Sequence, residues 1–340
     1  MNARTPETEV QAGALPWRLD REALVGWLRE VDEDRVARLF ATADAVRRER
    51  VGDHTRYRGL VEIGNDCQRA CLYCGLGAHR RGLPRYRMSP DEILGAAHEA
   101  LWRGCDTLVM QSGEDPAFDL ERMCGVVRRV KAETGLAVTL SLGELDDDAL
   151  GALRGAGADR YLLKLETTSP HLYRRIHPAA EGDGWRTRAR MLRTLGALGY
   201  AVGSGGMVGF PGQTFADLAD DLLAYASLGL HMVGIGPWVA HPDTPLGRHA
   251  ARLSAPPGWQ VPATVAMTQR AVALTRLLLP AAHLPATTAV EVVGGAEGQA
   301  QSLERGANVV MLGLTPAPHR AHYDIYPNPA RALSRASTEV

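Results

Sequence analysis

The chain has 340 residues with 38 basic and 39 acidic side chains, a formal charge of −1, and it is 45% hydrophobic and 23% charged. This balance leaves no basic surface for a nucleic acid and no acidic tail, and it supplies enough apolar surface for a full core. Residues 1–17 carry Arg4, Pro6, Glu7 and Glu9 and lack the long apolar stretch of a secretory signal. That segment is expected to be disordered, and the protein cytoplasmic.

Residues 18–56 read as a helical extension. Leu19, Leu24 and Leu28, then Val36, Leu39, Phe40 and Ala43, mark the apolar faces of two helices expected to close the bottom of the following domain. From there, apolar runs alternate with amphipathic stretches of helical length. The spacing predicts strands at 58–63, 107–111, 137–141, 160–164, 202–208, 232–236, 283–287 and 308–311. The clearest helices are expected at 90–103, 120–133, 186–198, 215–227 and 263–279; Ser89 and Glu92 form a capping-box pattern before the first. Eight strand and helix units favour a closed (βα)8 barrel of the TIM type over 57–328, and not an open doubly wound sheet. Residues 254–262 read as a loop and 329–340 as a tail.

The longest stretch without a charged side chain, 222–242, raises the question of a membrane span. Gly229, His231, Gly234, Gly236, Pro237 and Pro242 break it, so it reads as a helix end, a turn and a buried strand. No membrane or nucleic-acid partner is expected.

Five cysteines in a chain without an export signal argue against a disulfide framework. Cys105 and Cys124 fall in core patterns. The other three form Cys67-Gln-Arg-Ala-Cys71-Leu-Tyr-Cys74, directly after the first strand. Three thiolates in one loop can hold three irons of a 4Fe-4S cluster and leave the fourth iron open. An open iron can be chelated by the amino and carboxylate groups of S-adenosylmethionine, whose reductive cleavage gives a 5′-deoxyadenosyl radical. The competing reading is a structural zinc held by the same thiols and His79. Zinc sites of that kind staple small modules, whereas this loop belongs to a large barrel.

With these cysteines, the segments Gln111-Ser-Gly-Glu-Asp-Pro116, Thr139-Leu-Ser-Leu-Gly-Glu144, Met207-Val-Gly-Phe-Pro-Gly-Gln-Thr214 and Pro285-Ala-Thr-Thr288 follow in order. The sequence resembles the radical SAM superfamily and, within it, the HydE family of FeFe-hydrogenase maturases, with methylornithine synthase and biotin synthase as relatives. The resemblance implies a full (βα)8 barrel, a 4Fe-4S cluster on Cys67, Cys71 and Cys74, and bound S-adenosylmethionine. It implies cofactor contacts from Gly113 and Glu114 to the amino group, further contacts from Glu166 and Arg188, and contacts around the adenosine from Tyr73, Met207 and Ile235. Gln111, Thr139, Arg160, Thr287 and Thr288 resemble the polar lining of the family's substrate cavity and suit a small carboxylate-bearing, amino-acid-like molecule.

The chain departs from the family at Lys164-Leu165-Glu166, around Leu312-Gly313 and His319, and in lacking a C-terminal cysteine cluster. These departures fall around the substrate end. A HydE-type maturase is therefore weighed against an amino-acid rearranging or natural-product enzyme on the same scaffold, and against a non-catalytic iron-sulfur or zinc protein. A small-molecule substrate, an electron donor such as flavodoxin or ferredoxin, and a monomer are expected.

Overall fold

Strand pairing closes the chain into a barrel. The computed structural model describes residues 19–178 and 184–327, so the expected disordered N-terminus and the tail lie outside the described residues. In chain order the elements are α1 (Arg21–Arg29), α2 (Glu33–Val51), β1 (Arg56–Gly64), α3 (Pro90–Trp102), β2 (Thr107–Ser112), α4 (Leu120–Thr134), β3 (Ala137–Ser141), α5 (Asp147–Gly155) and β4 (Arg160–Leu162). Then follow α6 (Pro170–Ile176), α7 (Trp185–Ala197), β5 (Ala201–Val208), α8 (Phe215–Ser227), β6 (Met232–Pro237), α9 (Pro245–Arg248), α10 (Ala250–Leu253), α11 (Val265–Leu278), β7 (Pro285–Ala286), α12 (Thr288–Leu303), β8 (Val309–Gly313) and α13 (Ala317–Arg320).

The parallel sheet runs β6-β5-β4-β3-β2-β1-β8-β7. The bonds Val233 N to His283 O, 3.0 Å, and His283 N to His231 O, 2.8 Å, join its two edges and complete the barrel. This is the architecture expected from eight units. Local chemistry sets the helix starts: Ser89 and Glu92 form the capping box of α3, Thr214 and Asp217 that of α8, and Asp119 and Asp146 cap α4 and α5. Cys105 and Cys124 are buried in the core as expected.

Two expectations are corrected in detail. β4 ends at Leu162, not 164: Leu163 N still bonds to Gly203 O at 3.0 Å, but Leu165 N turns to the Ser204 side chain, and the next backbone bridge is Glu166 to Gly206. The seventh strand shrinks to two residues with a single bridge at His283. The N-terminal helices pack chiefly against α8 and α11, and α2 also reaches the bottom of the barrel, where Ala43 lies against Gly306 in the loop before β8. Leu24, Leu28, Leu39 and Ala43 are fully buried there, and Arg21 pairs with Asp220 at 2.6 Å. The uncharged stretch becomes the end of α8 and the wholly buried β6, and among the described residues no helix is long and apolar enough to cross a membrane.

Candidate active site

The C-terminal ends of the strands surround a cavity of about 230 Å³. Cys67, Cys71 and Cys74 reach it from the long loop between β1 and α3, and they are free thiols. Gly113, at the exit of β2, lies so close to this loop that an added Cβ would sit 2.2 Å from the Asp66 carbonyl and 2.7 Å from Cys67 Cβ. A side chain there would displace the first thiol. Burial pushes the Cys71 thiol up to about 11 and Cys74 still higher, so a positively charged metal core is what would hold them as thiolates.

The thiol set fits a multi-iron cluster better than a single zinc. Around one tetrahedral zinc with bonds of ~2.3 Å, sulfurs lie roughly 3.8 Å apart. Among the described residues, the His, Cys, Asp and Glu ligand atoms found within 4.8 Å of one another belong to His241, Asp243 and Asp324, and not to the three cysteines with His79. Both His79 ring nitrogens are without partners. The two carboxylates of the His241 group already share an ion pair with Arg80, whose Nη2 lies 3.0 Å from Asp243 and 3.1 Å from Asp324.

A chain of alternating charges runs along one wall. The Arg69 Nε donates to Glu114 Oε1 at 2.6 Å, and Arg69 Nη2 lies 3.4 Å from Glu144. Arg188 Nε donates to the other Glu144 oxygen at 2.8 Å, and its Nη1 donates to the Lys164 carbonyl at 2.8 Å. Glu114 also accepts from Gln68 Nε2 at 3.2 Å and from the Glu144 N–H at 3.1 Å. Three of its roughly four acceptor sites are thus filled. Arg69 and Glu144 were not singled out from the sequence, although both stand inside segments that carry the resemblance.

Glu166 has φ 66, unlike any other non-glycine among the described residues. Its Oε1 accepts from the Tyr73 hydroxyl at 3.3 Å, while its buried Oε2 has no partner. The Trp238 Nε1, also on the cavity wall, is an unpaired donor. Buried polar atoms of both kinds, left unsatisfied around one cavity, mark a site built for a ligand that donates and accepts hydrogen bonds.

Of the expected site residues, Tyr73, Gln111, Gly113, Glu114, Glu166, Arg188, Met207 and Thr287 line this cavity with the cysteines. Ile235 is a core side chain whose carbonyl accepts from Thr287 at 3.3 Å. Thr288 opens α12 and lines no cavity described here. Thr139 and Arg160 lie elsewhere: with Arg58, His231 and His283 they line a second cavity of about 230 Å³ at the start of the strands. Arg160 Nη1 there donates to Thr107 at 2.9 Å, and Thr139 Oγ1 has no partner.

Lys164, noted in the sequence only as a departure, enters the main cavity at the top of the β4 wall. Among the described residues its ammonium has no hydrogen-bond or ionic partner. Burial works against its charge, but the Glu166 carboxylate and, after it, Tyr326 together outweigh this and hold its pKa above the usual value. The segment after α13 adds Tyr323, Ile325 and Tyr326, and Tyr323 OH accepts from Gln111 at 2.7 Å.

The comparisons with known proteins agree with this geometry. Residues 61–224 match the profile of the radical SAM superfamily. The [FeFe] hydrogenase maturase subunit HydE of Thermotoga maritima is 44% identical over 290 residues, 85% of this chain and 78% of that protein. A biotin synthase of a Cyanothece species is 29% identical over 306 residues, 87% of this chain and 78% of its own. The crystal structure of methylornithine synthase superposes with a TM-score of 0.77 at 23% identity, covering 94% of this chain and 92% of that one, which shows the shared barrel. The chain belongs to the radical SAM superfamily. It is a radical SAM enzyme, and its cofactors are a 4Fe-4S cluster and S-adenosylmethionine.

Proposed function

We propose that this enzyme is a HydE-type maturase that directs a 5′-deoxyadenosyl radical at a small, enclosed, carboxylate-bearing substrate. The observation that carries the substrate class is an unpaired cation: of the cations lining the cavity, Arg69 and Arg188 are paired with Glu114 and Glu144, whereas the Lys164 ammonium has no anionic contact among the described residues. The Glu166 carboxylate favours the charged form of this half-buried ammonium, and a substrate carboxylate would give it a direct ionic partner. Similarity to HydE over most of the chain supports the maturase role.

In this reading Cys67, Cys71 and Cys74 hold three irons. When bound, the cluster and S-adenosylmethionine supply the carbon radical. Glu114, with its one unfilled acceptor site, takes the cofactor's ammonium beside the Gly113 backbone, and Glu166 Oε2 and Arg188 hold the rest of the cofactor. Tyr73 and Met207 flank the adenosine, and Ile235 contributes through its backbone. Lys164, Gln111 and Thr287 orient the substrate, and Tyr323, Ile325 and Tyr326 exclude water, which protects a reactive carbon radical from side reactions. Thr139 and Arg160, expected to line the substrate cavity, instead line the second cavity, away from the radical, where Arg160 would hold an anion. A flavodoxin or ferredoxin supplies the electron.

Expression of this chain in cells that make an FeFe hydrogenase but lack HydE tests the reading. Restored hydrogenase activity supports it. Failure to restore it, together with turnover of a free amino acid in vitro, would assign the chain to the amino-acid rearranging or natural-product enzymes instead.

A further inference from the structure

Asp221, on α8, is 1% exposed and has no cationic partner. Its Oδ1 accepts three bonds from the turn that follows Glu166: from Thr168 N at 2.5 Å, Thr168 Oγ1 at 2.8 Å and Thr167 Oγ1 at 3.2 Å. Its Oδ2 accepts from Gln213 Nε2 at 3.4 Å. Gln213 in turn donates to the Met207 carbonyl at 3.1 Å and accepts from the Gly209 N–H at 2.6 Å. One carboxylate therefore ties the segment leaving β4, which carries Glu166, to the end of β5, which carries Met207, and both side chains line the cavity.

The tie acts on a conformation that does not hold itself. A glutamate at positive φ is disfavoured and persists only where its surroundings over-determine it. Glu166 N donates to Gly205 O at 3.0 Å, which fixes one side of the turn. The Glu166 carbonyl presses on Gly206, where a Cβ would be 2.4 Å from it and equally close to the Tyr225 hydroxyl. The other side is fixed by Asp221 through Thr167 and Thr168. A buried carboxylate surrounded only by neutral donors, with the acidic Asp217 on the same helix, is an expensive way to cap a turn. That expense is intelligible when the turn sets the direction of a functional side chain.

We infer that Asp221 is a positioning residue for cofactor binding, holding the 166–168 turn so that Glu166 Oε2 faces into the cavity. The inference rests on the reading of Glu166 as a cofactor contact. Its test is equilibrium binding of S-adenosylmethionine to the anaerobically reconstituted protein, with iron content measured in every variant. Glu166→Ala should weaken binding about tenfold or more, and Asp221→Ala should weaken it several-fold with iron unchanged. Asp221→Asn, which keeps an oxygen acceptor for the two threonines, should restore near-native binding. The Glu166→Ala, Asp221→Ala double variant should bind no worse than Glu166→Ala alone, because both changes remove one effect. If Asp221→Ala does not fold, Thr168→Val interrupts the same tie from the other side and should weaken binding with iron unchanged. If Glu166→Ala leaves binding unchanged, the reading of Glu166 fails and the inference with it. If Glu166→Ala weakens binding while Asp221→Ala or Thr168→Val does not, or the double variant shows additive losses, that reading stands and the positioning role is wrong.

Discussion

Arg69 Nε and Glu114 Oε1 lie 2.6 Å apart, joining the middle of the cysteine loop to the carboxylate assigned to the cofactor's amino group. A loop that carries cluster ligands is thereby coupled electrostatically to the site where the cofactor would dock. The pair is largely sheltered, with the Glu114 side chain 9% exposed and that of Arg69 30% exposed.

Glu114→Gln should weaken S-adenosylmethionine binding without loss of iron. A charged hydrogen bond contributes roughly 1.5–3 kcal/mol, or about ten- to hundredfold in affinity. Arg69→Met should produce a loss of the same order, because it leaves the Glu114 carboxylate underpaired. An unchanged dissociation constant for Glu114→Gln would remove that residue from the site.

Reconstituted protein should contain about four irons and form 5′-deoxyadenosine under dithionite. Cys71→Ala should abolish both. Zinc without iron or sulfide in anaerobically purified protein would contradict the assignment of the thiols.

Lys164→Met should raise the KM of a carboxylate substrate at least tenfold, with Lys164→Arg much nearer to native. The substrate is found by screening amino acids and thioethers for faster 5′-deoxyadenosine formation. A KM indifferent to Lys164→Met would place the carboxylate elsewhere.

Stability should depend on pH through Asp221, whose pKa burial pushes up to about 7. A carboxyl with a raised folded pKa keeps its proton in the native state while the unfolded chain, with a value of ~3.9, has lost it. Stability therefore falls as pH rises from about 4 to about 7, by about 4 kcal/mol at most, and levels off above. Asp221→Asn should remove this slope and melt higher than the native chain at pH 8, the difference shrinking toward pH 5. Parallel melting curves across that range, recorded at one scan rate, would contradict the assignment.

The second cavity should take up a small anion. Arg58 is 1% exposed, its Nε is without a partner, and burial followed by the neighbouring Arg160 lowers its pKa to about 10. His283 is lowered to about 4 by burial and by the same arginines, and the cavity lining contains no carboxylate. Inorganic phosphate should raise the melting temperature saturably in the native chain but not in Arg58→Met or Arg160→Met. Equal shifts in all three would show a general salt effect.

The cysteine site was legible because its ligands are consecutive in one loop, so spacing alone carries the chemistry. Glu166 and Arg188 were legible by resemblance. The Arg69, Glu144 and Glu114 contacts were not, since they join loops after β1, β2 and β3 and exist only once the strands are in register. On β4 the error lay in direction along the strand. Arg160 and Lys164 share a face by alternation, but four residues at ~3.3 Å each separate them by roughly 13 Å. One therefore marks the start of the barrel and the other its mouth. Tyr323, Ile325 and Tyr326 carry no periodic signal, because their segment is neither helix nor strand.

That last segment has a bearing on assembly. The carbonyl of Asp324 sits where a Cβ on Gly75 would be 1.8 Å away, so it rests directly on the residue after Cys74. The wall of the cavity is thus stitched from stretches some 250 positions apart, and it is complete only when β8 has paired with β1. A nascent or partly unfolded chain presents its three thiols on an unroofed loop.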